Sequence, residues 1–411
     1  MKKILLVTLS LISLYTNAQT KILFDASKAE MAGNADWIID ADFHNLGLSS
    51  GPAVLGGGLE SNPQKIPTPL QSTITATTPE TYWNGALSNW AIDCVKAGYV
   101  VESLPYNGQI TYGVMSNPQD LSNYKVFVVD EPNILFTESE KTAIINFVKN
   151  GGGLCMISDH DISDRNNDGD DSPHVWNDLL TNNLVQNYPF GIVFDYANFS
   201  QTSSNVATLP LDPILHGTAG NVTQVQWSNG TTMTLNKTQN STATGLVYRT
   251  SATTTGIINV MCASAIYQNG KVVAIGDSSV PDDGTGDSGD TLYNGYTLDA
   301  AGNHQRLLMN AIFWLVAPVL SNENFVVSDL NFTIAPNPIQ DKILKFEFEN
   351  SDKEPFQISV FDALGRTIQT TDFSKYNSNL DSVFMNDLNS GIYFCKISTA
   401  TKSKISRFVV Q

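Results

Sequence analysis

Positive charge is what this sequence has least of. Its 411 residues carry 23 Lys and Arg against 40 Asp and Glu, a formal net charge of −17. The shortage is regional: residues 21–321 hold 12 Lys/Arg against 29 Asp/Glu, whereas residues 322–411 hold 9 against 11. With no basic stripe or cluster to neutralise phosphates, the chain is neither a general nucleic-acid binder nor a protein held on anionic lipid. Cysteine is scarce too. Cys94, Cys155, Cys262 and Cys395 show no paired spacing, and three of them sit inside apolar strand-like runs, so buried free thiols are expected in place of a disulfide framework. A nucleophilic thiolate needs an exposed electropositive setting, which none of these positions offers. Beyond residue 18 no run approaches the ~18 consecutive apolar residues of a membrane span, so no integral membrane segment is expected.

What is present begins with an address. Lys2 and Lys3 precede an apolar run over residues 4–14, and Thr16-Asn17-Ala18 follows. This predicts a signal peptide over residues 1–18, cleaved after Ala18, with an apolar stretch too short to span a bilayer. The exported remainder divides by composition into an acidic unit, residues 19–321, and a charge-balanced one, residues 322–411.

The acidic unit alternates strand and helix patterns. Apolar runs at residues 21–24, 99–104, 124–129, 154–157 and 271–275 read as strands. Helical spacing appears over residues 82–97, from Thr137 with its T-x-x-E cap to Glu140, over residues 172–184 with Pro173 in the first turn, and over residues 304–316. The predicted fold is α/β, a mostly parallel sheet with helices on both faces, followed by a small all-β sandwich. Residues 47–79 read as a long irregular loop, residues 200–254 as edge hairpins, and residues 257–266 and 271–275 as a hairpin turning at 268–270.

Four of the strand patterns end in acid. Residues 21–24 run into Asp25, residues 124–129 into Asp130 and Glu131, residues 154–157 into Ser158-Asp159-His160, and residues 271–275 into Gly276-Asp277-Ser278. Parallel strands place their carboxyl ends on one edge, where ligands of open α/β sheets bind. Convergent carboxylates repel unless a proton or cation compensates, so Asp25, Asp130 and Asp159 are candidate ligands of a divalent cation. Oxygen donors suit Ca²⁺ or Mg²⁺, and His160 admits Zn²⁺ or Mn²⁺. Asp159, His160, Asp277 and Ser278 are the candidate catalytic residues, with His160 as general acid or base. The plainer alternative is that each strand-end Asp caps a following turn. A second pattern, Asp164-x-Asn166-x-Asp168-Gly169, matches the opening of a calcium loop. Its twelfth position is Val175 and not Glu, which excludes a standard helix-loop-helix hand and leaves structural calcium beside a solvated Asx-rich turn.

Two resemblances add to this. Pro336-Asn337-Pro338, Asp362-x-x-Gly365-Arg366, Leu388-x-Ser390-Gly391-Ile392-Tyr393 and Lys404-Ile405-Ser406-Arg407 fall in the order seen in the type A C-terminal sorting domain of type IX secretion cargo, which the last 80 or so residues closely resemble. That implies engagement by the type IX secretion machinery and release or anchoring at the outer surface. Residues 21–317 resemble the class I glutamine amidotransferase-like superfamily in its ThuA-like branch, through Gly151-Gly152-Gly153-Leu154 between helix and strand, Asp212-Pro213-Ile214-Leu215-His216-Gly217, and the helix at 304–315. This implies a flavodoxin-like sheet with its site at the strand ends. Amidotransferases carry Cys in a G-x-C-x-G elbow, where this chain has Ser158-Asp159-His160, so glutamine hydrolysis is not expected. Gly276-Asp277-Ser278 is similar to the first block of lipase-like esterases, but it comes late and Asp299-x-x-Gly302 lacks the partner His.

The expected function is a divalent-cation-dependent hydrolase acting on extracellular glycan or phosphoester. The alternative is a non-catalytic, calcium-stabilised surface or carbohydrate-binding protein presenting Trp83 and Trp90.

Overall fold

A computed structural model describes residues 19–32, 35–40, 46–47, 54–55, 71–285, 293–319, 332–339, 343–348, 355–362, 366–373, 380–385, 388–399 and 403–411. The expected signal peptide, most of the first half of the 47–79 loop, and part of the acidic stretch after Asp282 lie outside these residues. The chain divides into two compact units, Met1–Val319 and Leu320–Gln411.

The first unit is built on a ten-stranded mixed sheet. Its strands are β1 (Lys21–Asp25), β2 (Val100–Leu104), β3 (Val126–Asp130), β4 (Gly153–Ile157), β5 (Ile192–Phe194), β6 (Asn205–Val206), β7 (Met233–Leu235), β8 (Thr244–Tyr248), β9 (Val260–Tyr267) and β10 (Gly270–Ile275). Five of them, in the order β2-β1-β3-β4-β10, are parallel. Their side chains are buried almost throughout, as expected for strands covered on both faces. The sheet is less parallel than the sequence pattern suggests. The tight turn at Gln268-Asn269 can join only antiparallel strands, so β9 runs antiparallel to β10, and beyond it β8 is antiparallel to β9 and β6 to β8.

Four helices accompany the sheet: α1 (Ser88–Lys96), α2 (Glu138–Lys149), α3 (Ser172–Thr181) and α4 (Asn303–Val316). The predicted capping box at α2 is present, with the Thr137 side chain accepting from the Glu140 amide and Glu140 reaching back to the Thr137 amide. Asp171 caps α3, and Pro173 lies in its first turn. Two glycines show how the helices flank the sheet. A Cβ on Gly153 would meet Leu315 of α4, whereas one on Gly270 would lie 1.9 Å from the Val148 carbonyl oxygen of α2. Gly153 pairs with Lys271, whose ammonium bonds to the Trp314 and Ala317 carbonyls, so the α4 face holds Gly153 and Lys271, and neighbouring Gly270 points to the α2 face.

The second unit comprises two antiparallel sheets: β11 (Phe332–Ile334), β12 (Ile343–Phe348) and β15 (Leu380–Phe384) in one, and β13 (Phe356–Asp362), β14 (Thr367–Phe373), β16 (Gly391–Ser398) and β17 (Ser403–Val410) in the other. Leu344, Phe346, Ile358, Val360, Ile397 and Phe408 form their common core. All four cysteines of the chain are free and buried.

Gly270→Ala drives a methyl into two backbone carbonyls, so it should lower the unfolding free energy of the chain by about 1–3 kcal/mol. Denaturant titration of the variant beside wild type measures this, and an unchanged midpoint would contradict the packing described.

Candidate functional site

Register decides which strand-end acids meet. Asp130 is paired with Ile157, and Ile157 with Ile275, so Asp159 and Asp277 each lie two residues beyond the level of Asp130. Phe24 is opposite Val128, which sets Asp25 level with Val129 and on the other side of the sheet from Asp130. Asp25 accordingly bonds locally, accepting from the Ser27 amide at 3.0 Å and the Ser27 hydroxyl at 2.7 Å. Burial raises its carboxyl, and it raises the neighbouring Glu30 well up, with the charge of Asp25 adding to the effect.

The centre of the site is a residue outside the candidate set. Glu131, just past β3, has a left-handed backbone (φ 48) and is fully buried. Its Oε1 accepts from Arg165 Nε at 2.8 Å, and its Oε2 accepts from Trp37 Nε1 and Ser278 Oγ, both at 2.6 Å. The other arm of Arg165 donates from a terminal nitrogen to Asp159 Oδ2 at 2.8 Å. One guanidinium therefore ties the end of β3 to the end of β4, and Ser278 joins them to the end of β10. Above this network lies a cleft of about 310 Å³ lined by Trp37, Asp159, His160, Arg165, Ser278 and Asp282, with Tyr293 also on its wall. His160 is partly exposed at the cleft. Its Nδ1 lies 2.5 Å from the Asp161 carbonyl oxygen, and its Nε2 is 3.5 Å from Asp159 Oδ2. Asn198 Nδ2 also lies 2.9 Å from Nδ1, so that side of the ring is taken up by two neighbours while Nε2 faces Asp159.

Acid outnumbers base beneath the cleft. Burial, together with the charges of Glu131 and Asp277, pushes Asp159 well up against the opposing pull of Arg165. Asp130 is pushed up by burial and by Glu131, Asp277 and Asp282, and neither of its buried carboxylate oxygens has a hydrogen-bond partner. Asp277 accepts from the Ser228 and Ser279 amides, yet burial still raises it to about 7. Protons and Arg165 thus share the task of compensation. Among the described residues, no three His, Cys, Asp or Glu side chains gather where they would hold a metal ion.

The remaining candidates lie apart from the cleft. In the loop before α3, Asp164 accepts from the Asp168 amide at 3.1 Å and the Gly169 amide at 2.9 Å, and Asn166 Nδ2 donates to Asp168 Oδ2 at 2.7 Å. Trp83, five residues ahead of α1, and Trp90, within it, both expected on the surface, are buried. Trp90 packs edge-on against Phe24, so neither indole is available to a carbohydrate. His304 is a core residue: its Nε2 accepts from the Gln226 amide, its Nδ1 faces the Gly295 carbonyl, and burial holds it down at about 4. Sequence reasoning passed over Glu131, Arg165, Trp37 and Tyr293. For Arg165 a signal existed, since it is the one Lys or Arg among the six aspartates of residues 158–171.

Two outcomes follow from this arrangement. Arg165→Ala leaves Glu131 and Asp159 uncompensated, at a cost of about 3–5 kcal/mol in unfolding free energy, and adding Glu131→Gln should recover part of it. Denaturant titrations of the two variants measure both effects. Asp277 holds its proton to about 7 when folded and to about 3.8 when unfolded, so its contribution to stability is full below pH 4 and is lost as pH rises towards 7. Asp277→Asn should therefore gain Tm relative to wild type across that window. A difference in Tm that is flat with pH would show that Asp277 does not carry the proton.

Residues 333–411 match the family model described as the secretion system C-terminal sorting domain. No curated protein matches the chain. Among solved structures, the mmIFT52 N-terminal domain is similar at a TM-score of 0.40 and 14% identity, over 72% of this chain and 97% of that one. A DUF3244 family protein with an immunoglobulin-like β-sandwich fold from Bacteroides vulgatus is similar at a TM-score of 0.16 and 15% identity, over 18% of this chain and 79% of that one. The PmoD soluble domain from Methylocystis sp. is similar at a TM-score of 0.15 and 18% identity, over 17% of this chain and 71% of that one. The amidotransferase-like resemblance of residues 21–317 finds no support among these matches. No helix among the described residues is long and apolar enough to cross a membrane. Residues 333–411 are a type IX C-terminal sorting domain, and they direct the chain to the cell surface or the extracellular space.

Proposed function

We propose that residues 19–321 form an exported, flavodoxin-like hydrolase domain that acts on a neutral extracellular glycan in the strand-end cleft. The observation that carries this reading is the convergence of Asp159, His160, Arg165, Ser278 and Asp282 with Trp37 and Tyr293 around one cleft at the carboxyl edge of the parallel strands. The order β2-β1-β3-β4-β10 supports the flavodoxin-like part, because it is the order of flavodoxin-like sheets. Charge selects between the two expected substrate classes. Both arms of the Arg165 guanidinium are already committed to Glu131 and Asp159, so a phosphoester anion would find no uncommitted cation among the described side chains that line the cleft. A hydroxyl-rich neutral ligand would find carboxylate and amide acceptors, hydroxyl donors and two aromatic walls.

In this reading His160 is the general acid or base, Asp159, 3.5 Å from its Nε2, orients the ring, and Ser278, tied to Glu131, is a positioning hydroxyl and not the nucleophile. No step is routed through a cation at Asp25, Asp130 and Asp159, because Asp25 is turned away from the other two. The divalent cation belongs instead in the loop that holds Asp164, Asn166 and Asp168. A second reading, non-catalytic carbohydrate binding, is favoured by Trp37 and Tyr293 lining the cleft.

Incubation of the chain with a panel of neutral polysaccharides, followed by assay of new reducing ends, tests the reading. His160→Gln should lower turnover by roughly 10²–10⁴-fold while leaving binding nearly intact. Binding without turnover in wild type would establish the second reading, and neither binding nor turnover would remove both.

A further inference from the structure

The loop that carries Arg165 is also the loop with calcium-type spacing. Arg165 stands between Asp164 and Asn166, the first and third positions of the D-x-N-x-D-G pattern. Its backbone amide is held by Asn133 Oδ1 at 3.3 Å while its side chain crosses to Glu131 and Asp159. The acids of this loop alone would not make a site, since Asp164 and Asp168 already accept backbone amides. The independent observation is Asn166. Its side chain is only 3% exposed, and its Oδ1 is buried with no hydrogen-bond partner. Its Nδ2 donates to Asp168 Oδ2 at 2.7 Å, so the side chain lies within the loop. The amide is held by one atom, while its oxygen, the atom that the third position of a calcium loop offers to the ion, is left without a partner. Ser163 Oγ and Ser172 Oγ, at the two ends of the same loop, are likewise buried without partners.

We propose that the loop binds Ca²⁺ through Asp164, Asn166 and Asp168, and that the bound ion fixes Arg165 in its bridge between Glu131 and Asp159. Calcium then controls the cleft through the position of one arginine and takes no part in the chemistry. The inference deepens the hydrolase reading by naming its regulation, and the calcium site and its coupling to Arg165 are read out without any activity.

The test is a calcium titration of the full exported chain, followed by Tm and by calorimetry. The expected dissociation constant is about 10⁻⁴–10⁻³ M, as for extracellular calcium modules, with Tm raised by about 2–5 °C at saturation. Asp168→Asn should remove the shift while the chain stays folded in calcium-free buffer. No heat and no shift up to 10 mM Ca²⁺, with the wild-type chain folded, would overturn the site. Coupling is tested with Arg165→Lys, which keeps the charge but loses the two-armed bridge. If the ion and the bridge are linked, calcium affinity should fall about 3–10-fold, by reciprocity. Arg165→Ala in the Glu131→Gln background sharpens the sign. Removal of a nearby cation would by Coulomb attraction alone tighten calcium binding, whereas loss of the bridge weakens it. Unchanged or tighter binding in both variants would overturn the coupling and leave the calcium site standing. Calcium binding with the expected coupling but no glycan turnover would count against the hydrolase reading alone.

Discussion

The first unit's functional edge depends on a single guanidinium. Arg165 lies where two parallel strands deliver carboxylates to the same place, and both arms of its fork are used. A lysine ammonium at that position would give one charge without the planar pair of donors that reaches Glu131 and Asp159 together. Two further hydrogen bonds end on Glu131, one from the Trp37 indole and one from the Ser278 hydroxyl, and its backbone is left-handed. The cleft has a floor because those contacts meet at one carboxylate.

The same region shows how an acidic unit keeps its acids inside. Burial of carboxylates in a low-dielectric interior favours their neutral forms, and Asp130, Asp159 and Asp277 are all shifted in that direction. Only part of the charge needs a counterion, and one arginine supplies it. The net charge of −17 is therefore not the charge felt beneath the cleft.

Much of the architecture was legible in order of local strength. The α2 capping box, Pro173 at the start of α3 and the hairpin between β9 and β10 all rest on neighbouring residues, and they appear where the sequence puts them. The sorting domain was legible because its motifs recur in a fixed order. The convergence of strand-end aspartates was legible only as an edge and not as a point, since the register between β1 and β3 sets Asp25 on the opposite face from Asp130, and register is not written in either strand alone. Glu131 escaped because nothing in a non-glycine residue announces a positive φ. The tryptophans misled for a related reason: the spacing over residues 82–97 suggests one helical face for Trp83 and Trp90 and does not say that it is inward, and the helix itself begins only at Ser88, after Trp83.

The four buried thiols carry a consequence for the life of the molecule after export. Cys94, Cys155, Cys262 and Cys395 are sealed in the two cores, and burial raises each thiol so that almost no thiolate forms. While the fold holds, an oxidising medium finds nothing to attack. Once the fold opens, the same sulfurs become the most reactive groups of the chain and can be paired wrongly or oxidised before refolding. Outside the cell, unfolding is then a one-way event, and the working lifetime of the protein is set by the height of the unfolding barrier and not by the depth of the native well.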